Sequence, residues 1–297
     1  MTFVATLIAS SSFELDDGTL LRARRLLPDP GAPRWLTPGS AADIPFNADP
    51  ANDNRILSDE LRAALAPAPV DVVVQRSDGR RKRLFLADMD STMIEQECID
   101  EMADYAGLKA KVAAITERAM RGEIAFVPAL RERVALLKGL SASVVDELLA
   151  RRITLTPGGR TLVGTMRKHG AYTCLVSGGF TLFTDTIAAR IGFDEARANR
   201  LVVNDGLFAG EVAEPVFGRD AKKATLVDLR DRLRLDRADT LVVGDGANDL
   251  DMILDAGLGV AFHAKPAVAA AAAARIDHGD LTALLYAQGY AQDEWVS

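Results

Sequence analysis

The chain has 297 residues, 48% of them apolar and 26% charged, and 42 acidic against 35 basic residues leave a formal charge of −7. That is enough apolar material for two ordinary domains or one enlarged one, and it excludes global disorder. The acidity argues against a general nucleic-acid-binding surface, and no apolar stretch approaches the roughly 20 residues that span a bilayer. The opening residues carry no basic segment ahead of their apolar run, so a signal peptide is not expected. Cys98 and Cys174 are too few for a disulfide framework or a zinc cluster. Both sit among apolar residues, as reduced core cysteines of a cytoplasmic protein do. His169, His263 and His278 are scattered, with no pattern for a histidine-dependent triad.

In chain order, residues 1 to about 80 carry most of the prolines and no chemical motif. The pattern predicts a strand from Phe3 to Ile8, a helix near Gly18–Leu27, short strands near Arg34–Leu36 and Ile44–Phe46, a helix over Asn54–Leu65, and a β-branched strand at Val70–Gln75. That βαββαβ order fits a small α+β domain. The basic run Arg80-Arg81-Lys82-Arg83 reads as a solvated connector.

From Leu84 the pattern changes. Leu84–Ala87 is a buried strand that stops at Asp88-Met-Asp-Ser-Thr92. Four helices follow, near 97–106, 109–121, 127–137 and 142–151, uninterrupted by a strand, so they read as a helical insertion at about 94–155. Beyond Pro157-Gly-Gly159 come a helix, a strand at Tyr172–Val176, a helix after Gly178-Gly179, and a hairpin turning at Asn204-Asp205-Gly206. A helix at Asp220–Leu233, a strand at Thr240–Val243, a helix at Asn248–Ala256 and a strand at Gly259–Phe262 continue the series. The run Ala267–Ala274 reads as a tightly packed helix. Strands alternating with helices predict an α/β fold, a doubly wound parallel sheet over residues 81–297, whose ligands would sit outside the carboxyl ends of the strands.

Those ends are where the polar residues concentrate. Asp88 and Asp90 close the first core strand. Ser177-Gly178-Gly179 closes the second, where glycines let backbone N–H groups approach an anion. Gly244-Asp245-Gly246-Ala247-Asn248-Asp249 closes the third, and its carboxylates suit a hard cation such as Mg²⁺. Lys222 lies early in a helix. Each feature alone has an ordinary structural explanation as a turn, a cap or a solvated charge. Together, on successive strands of one sheet, they supply what phosphoryl transfer needs: a carboxylate nucleophile, a metal site, anion-binding amides and a cation.

Asp88-Met-Asp-Ser-Thr92, Ser177-Gly-Gly-Phe180, Lys222 and Gly244-Asp-Gly-Ala-Asn-Asp249 resemble the ordered motifs of the haloacid dehalogenase superfamily, and more closely its phosphoserine phosphatase family. The resemblance covers about residues 82–290. It includes the insertion, where Ile115–Gly122 and Arg131–Leu137 look like that family's helical cap. Met89 stands where the family often has phenylalanine. The resemblance implies that Asp88 attacks phosphorus, that Asp90 serves as general acid and then base, and that Asp88, the Asp90 carbonyl and Asp245 hold Mg²⁺ with Asp249 behind them. It implies that Ser177, Gly178 and Lys222 bind the phosphate and that Asn248 positions the substrate or Lys222. It also implies that Glu97 receives the ammonium and Arg133 the carboxylate of O-phospho-L-serine, with Met120 and Phe126 closing the pocket. The implied reaction is hydrolysis to L-serine and phosphate, the last step of L-serine biosynthesis. The alternatives are transfer of phosphate to an acceptor such as homoserine, and an aspartyl-phosphate receiver domain. The N-terminal βαββαβ order resembles a regulatory module of the ACT type, which implies serine sensing or homodimer formation; a structural appendage is the other reading.

Overall fold

The computed structural model describes residues 2–49, 54–120 and 123–296. The N-terminal region consists of β1 (Thr2–Ala9), α1 (Asp17–Arg24), β2 (Arg34–Thr37), β3 (Ala41–Asn47), α2 (Asn54–Leu65) and β4 (Val70–Arg76). The strands form an antiparallel sheet ordered β2-β3-β1-β4. The βαββαβ order is as expected. Asp16 caps α1 by accepting from the Thr19 amide at 2.7 Å. Strand β3 runs straight through Pro45, whose carbonyl accepts from Gly31 at 2.8 Å on the side away from β1. Its missing N–H points the same way, so the β1 ladder loses nothing.

The second region starts at β5 (Leu84–Asp88), followed by α3 (Cys98–Tyr105), α4 (Lys109–Met120), α5 (Phe126–Ala135) and α6 (Val144–Arg151). These helices form one excursion, which leaves and rejoins the core side by side at an antiparallel bridge between Ile94 and Leu155. The chain continues through α7 (Gly159–Lys168), β6 (Tyr172–Phe180), α8 (Thr181–Ile191), β7 (Glu195–Asn199), β8 (Leu201–Asn204), β9 (Leu207–Val212) and α9 (Arg219–Arg232). It ends with β10 (Thr240–Gly244), α10 (Leu250–Asp255), β11 (Leu258–Phe262), α11 (Pro266–Ala271), β12 (Ala274–Ile276) and α12 (Ala283–Ala287). Six strands pair in parallel in the order β12-β11-β10-β5-β6-β7. From β5 the chain winds outward through β6 and β7, then crosses to the other side at β10. The crevice of such a sheet opens beside β5 for that reason.

Three readings need correction. The alanine run is not one helix: α11 stops at Ala271, and Ala274 opens the edge strand β12. Small side chains suit either packing, and the free edge of β11 decided it. The hairpin β8–β9 does turn at Asp205 (φ 50°) and Gly206 (φ 77°). It is not part of the α/β alternation, however: it reaches across to the helical excursion, where Gly139 N–H donates to Phe208 O at 2.8 Å and Phe208 N–H to Leu140 O at 2.9 Å.

The basic run is no solvated connector either. It lies in the seam between the two sheets. Arg80 pairs with Asp43 at 2.5 Å, and Arg81 reaches Glu294 at 2.8 Å across the Tyr290 ring. Lys82 is buried and donates to the carbonyls of Gly79 and Ala238. Elsewhere along the seam, buried Asp71 on β4 accepts backbone N–H groups of Asp277 (2.7 Å), His278 and Gly279 (2.8 Å). Gln75 donates to Ala287 O at 2.6 Å. Ile8, Leu36, Ala41 and Val73 pack in the same apolar cluster as the core helices. The three histidines are exposed.

Candidate active site

Register brings the sequence motifs to one edge. Asp88 stands opposite Val176, so Ser177 follows on the neighbouring strand, and Ala87 stands opposite Val243, so Gly244-Asp245 follows on the other. The strands end there because acidic and glycine residues replace the apolar run, and a wide turn at Met89–Met93 carries the chain over the crevice.

Lys222 is fully buried, and its ammonium lies 2.5 Å from Asp88 Oδ1 and 2.6 Å from Asp249 Oδ1. Carboxylate oxygens of Asp88, Asp245 and Asp249 all lie within 4.8 Å of one another. Gly246 N–H donates to the second Asp249 oxygen at 3.1 Å, and Thr92 Oγ1 to Asp245 at 3.4 Å. Desolvation pulls the Lys222 ammonium toward losing its proton; the two carboxylates outweigh it and hold the charge above its usual range. Burial and the Asp249 charge push Asp88 well above the ordinary carboxylate range, against the pull of Lys222. Burial, Asp249 and Glu97 push Asp245 up to about 6. Three buried carboxylates facing one lysine leave negative charge uncompensated, and their all-oxygen donor set fits a divalent cation.

Asp90 is held from two sides. The Cys98 N–H at the start of α3 donates to Oδ1 at 3.0 Å, and Ser177 Oγ lies 3.4 Å from Oδ2. Burial, then the Glu97 charge, push its carboxyl up to about 7. Ser177 Oγ also accepts the Gly179 N–H at 2.8 Å. A Cβ on Gly179 would come within 2.9 Å of Asp90 Oδ2, and one on Gly244 within 2.6 Å of the Asp249 carboxyl, so both positions need glycine for close approach. The Ser177-Gly-Gly segment stays extended to Phe180, with α8 opening only at Thr181. Its amides therefore belong to the last residues of β6 and not to a helix N-terminus.

The helical excursion closes over this edge. The Phe126 ring lies 3.4 Å from where a Gly178 Cβ would be and 3.1 Å from that of Gly218. Glu97, exposed, accepts from Ser91 Oγ at 2.8 Å, and Ser91 takes a positive φ of 55° to reach it. Arg133, half-buried on α5, donates to Ala129 O at 3.3 Å and Thr116 Oγ1 at 3.4 Å, and to no other acceptor among the described residues. Its charge faces Asp100 and Glu97. The side chain of Met120 lies outside the described residues.

The resemblance implied that Asn248 positions the substrate or Lys222. No hydrogen bond joins them among the described residues, and Asp249 and Asp88 hold the lysine. It missed Asn199 altogether. This residue is 2% exposed, and its Nδ2 donates to Gly178 O and Phe217 O at 2.8 Å each while its Oδ1 accepts Phe217 N–H at 2.6 Å. Asn199 thus ties the serine-glycine loop to the segment that opens α9, the helix of Lys222. A lone asparagine in a weak strand gives no sequence signal for that.

The fold and this edge define a class. The model of the haloacid dehalogenase-like hydrolase family matches residues 85–254, and the chain belongs to that family. Within it, the chain is 46% identical over 208 residues to a phosphoserine phosphatase of Polaromonas sp., covering 68% of this chain and 88% of that one. It is 42% identical over 243 residues to a phosphoserine phosphatase of Streptomyces coelicolor, covering 80% of this chain and 59% of that longer protein. Among solved structures, a HAD family hydrolase of Salmonella enterica serovar Typhi superposes with a TM-score of 0.86 at 28% identity, covering 99% of each chain. The likeness therefore extends through the N-terminal sheet. Among the described residues no helix is long and apolar enough to cross a membrane.

Proposed function

We propose that the chain is an Mg²⁺-dependent phosphatase that converts O-phospho-L-serine and water to L-serine and phosphate through an aspartyl-phosphate. The observation that carries this is the placement of two carboxylates on one turn. Asp88 sits against the Lys222 ammonium at 2.5 Å, while Asp90, held by the Cys98 N–H at 3.0 Å with Ser177 Oγ 3.4 Å away, stands at the same edge as a group able to give and take a proton. The substrate comes from the names of the two relatives and from Glu97 and Arg133, whose charges match the ammonium and carboxylate of an amino acid.

In the first step an Asp88 oxygen forms a bond to phosphorus as the bond from phosphorus to the seryl oxygen breaks, and Asp90 gives its proton to that oxygen. In the second, Asp90 takes a proton from water as the water oxygen bonds to phosphorus. The bond to Asp88 then breaks, releasing phosphate and restoring the carboxylate. Lys222, Ser177 and the Gly178 amide bind the phosphoryl oxygens, and Asn199 fixes the loop and helix that carry them. Asn248 borders the same crevice. Asp88, the Asp90 carbonyl and Asp245 would hold Mg²⁺, with Asp249 behind them, and the ion supplies positive charge to the phosphoryl group. Phe126 keeps bulk water from the aspartyl-phosphate until serine leaves. The place in metabolism that follows is the closing step of serine biosynthesis.

The test is phosphate release from O-phospho-L-serine with Mg²⁺, alongside other small phosphomonoesters. Preference for phosphoserine, lost in Glu97→Gln and Arg133→Leu, supports the substrate. Equal or better turnover of another ester would overturn it.

A further inference from the structure

A cavity of about 650 Å³ lies between the N-terminal sheet and the turn that follows Asp90. Ser10 and Ser40 line it from the N-terminal side, Ser91 and Glu95 from the active-site turn, and Tyr286 and Trp295 from the C-terminal segment. None of the crevice residues Asp88, Asp90, Ser177, Lys222 or Asp245 lines it, so it is a separate site. Its volume falls in the range of small-molecule pockets.

The charges select the occupant. No lysine or arginine lines the cavity, and of its two histidines, His263 and His278, the first spends its Nε2 on the Gly279 carbonyl at 2.8 Å, which disfavours phosphates, nucleotides and simple carboxylates. Two carboxylates do line it. Asp280 is engaged by the Thr282 N–H at 2.8 Å and hydroxyl at 2.5 Å, whereas Glu95 is exposed and makes no ion pair among the described residues. Tyr286 and Trp295, with ring centroids 4.9 Å apart, add aromatic surface of the kind that attracts organic ammonium groups. Serine hydroxyls supply hydrogen bonds on both sides. We propose that this interdomain cavity binds a small hydroxylated organic ammonium compound, with Glu95 as counter-ion.

The site backs directly onto the crevice. Ser91 shares its turn with Asp90 and bonds Glu97, and His263, another lining residue, precedes by two residues the Lys265 N–H that donates to Asp245 O at 3.1 Å. Occupancy therefore bears on the turn that holds the acid/base carboxylate. This effect on turnover rests on the function proposed above; binding itself does not.

Calorimetric titration of the full chain with ethanolamine, L-serine and propionate tests the proposal, with Trp295 fluorescence in a Trp35→Phe background as a second readout, since these are the two tryptophans. Ethanolamine should saturate both signals, L-serine should bind more weakly because its carboxylate meets Glu95, and propionate should not bind. Glu95→Gln should weaken ethanolamine about tenfold, the loss of roughly one exposed ion pair in a confined site, while Asp88→Asn leaves it unchanged. No saturation by about 10 mM, equal or tighter binding of L-serine or propionate, or an unchanged affinity in Glu95→Gln would overturn the proposal. So would loss of binding in Asp88→Asn, which would place the amine in the crevice. All these readings are independent of phosphate release, so failure of the proposed activity would remain distinguishable.

Discussion

Asn199→Ala tests the brace behind the phosphate-binding loop. The substitution removes two donations to Gly178 O and Phe217 O and one acceptance from Phe217 N–H, all between 2.6 and 2.8 Å. With the side chain only 2% exposed, water replaces it poorly. At roughly 1 kcal/mol for each backbone group left without its partner, the loss is about 3 kcal/mol. In urea, with a slope of about 3 kcal/mol/M for a chain of this size, the midpoint should fall by about 1 M with the slope unchanged. Asn199→Asp should be at least as damaging, because it sets a carboxylate against two carbonyls. Phosphate release should show a raised KM, because Gly178 and the start of the Lys222 helix lose their common anchor. A midpoint shift under about 0.3 M together with unchanged kinetics would refute the reasoning.

Other perturbations follow from the same geometry. Lys222→Met leaves Asp88 and Asp249 facing each other in a buried site and should cost about 3–5 kcal/mol in metal-free buffer, read by denaturant unfolding; a loss under 1 kcal/mol would contradict the buried triad. Asp71→Asn turns one acceptor oxygen into a donor against the Asp277–Gly279 amides and should cost about 2 kcal/mol, with faster proteolysis of the seam at 77–83; full resistance would show that the seam does not depend on it. Burial raises Glu195, but hydrogen bonds from Arg232, Arg197 and Tyr172 outweigh it and bring the carboxyl down to about 2. Because its folded pKa is depressed, its contribution is present above about pH 4.5 and lost as pH falls toward 2. After screening at this partly exposed site, Glu195→Gln should cost about 1 kcal/mol at pH 7 and little near pH 2, and a pH-independent cost would argue against the network.

Much of this was legible in the chain because periodicity and punctuation agreed. Apolar runs ended in Asp88, Ser177 and Gly244, and a parallel sheet of matched register could only bring those ends together. The N-terminal strands were legible for the same reason, down to the short β2. What stayed hidden depends on tertiary partners. Strand β7, Glu195-Ala-Arg-Ala-Asn199, lacks β-branched residues and is tied to α9 by the pairs Glu195–Arg232 and Arg197–Asp228, which no local pattern announces. The alanine run read as one helix because alanine gives no local signal for where a helix stops and a strand beside β11 begins. Arg80–Lys82 read as solvent-facing because their partners, Asp43, Glu294 and the Ala238 carbonyl, are distant in sequence. Asn199 was missed for that reason too.

The most direct test is phosphate release from O-phospho-L-serine by wild type and Asp88→Asn, each with Mg²⁺ and with EDTA. The account predicts metal-dependent turnover by the wild type that Asp88→Asn abolishes while remaining folded. Turnover that survives in folded Asp88→Asn, or a folded wild type that releases no phosphate with Mg²⁺ present, would contradict it.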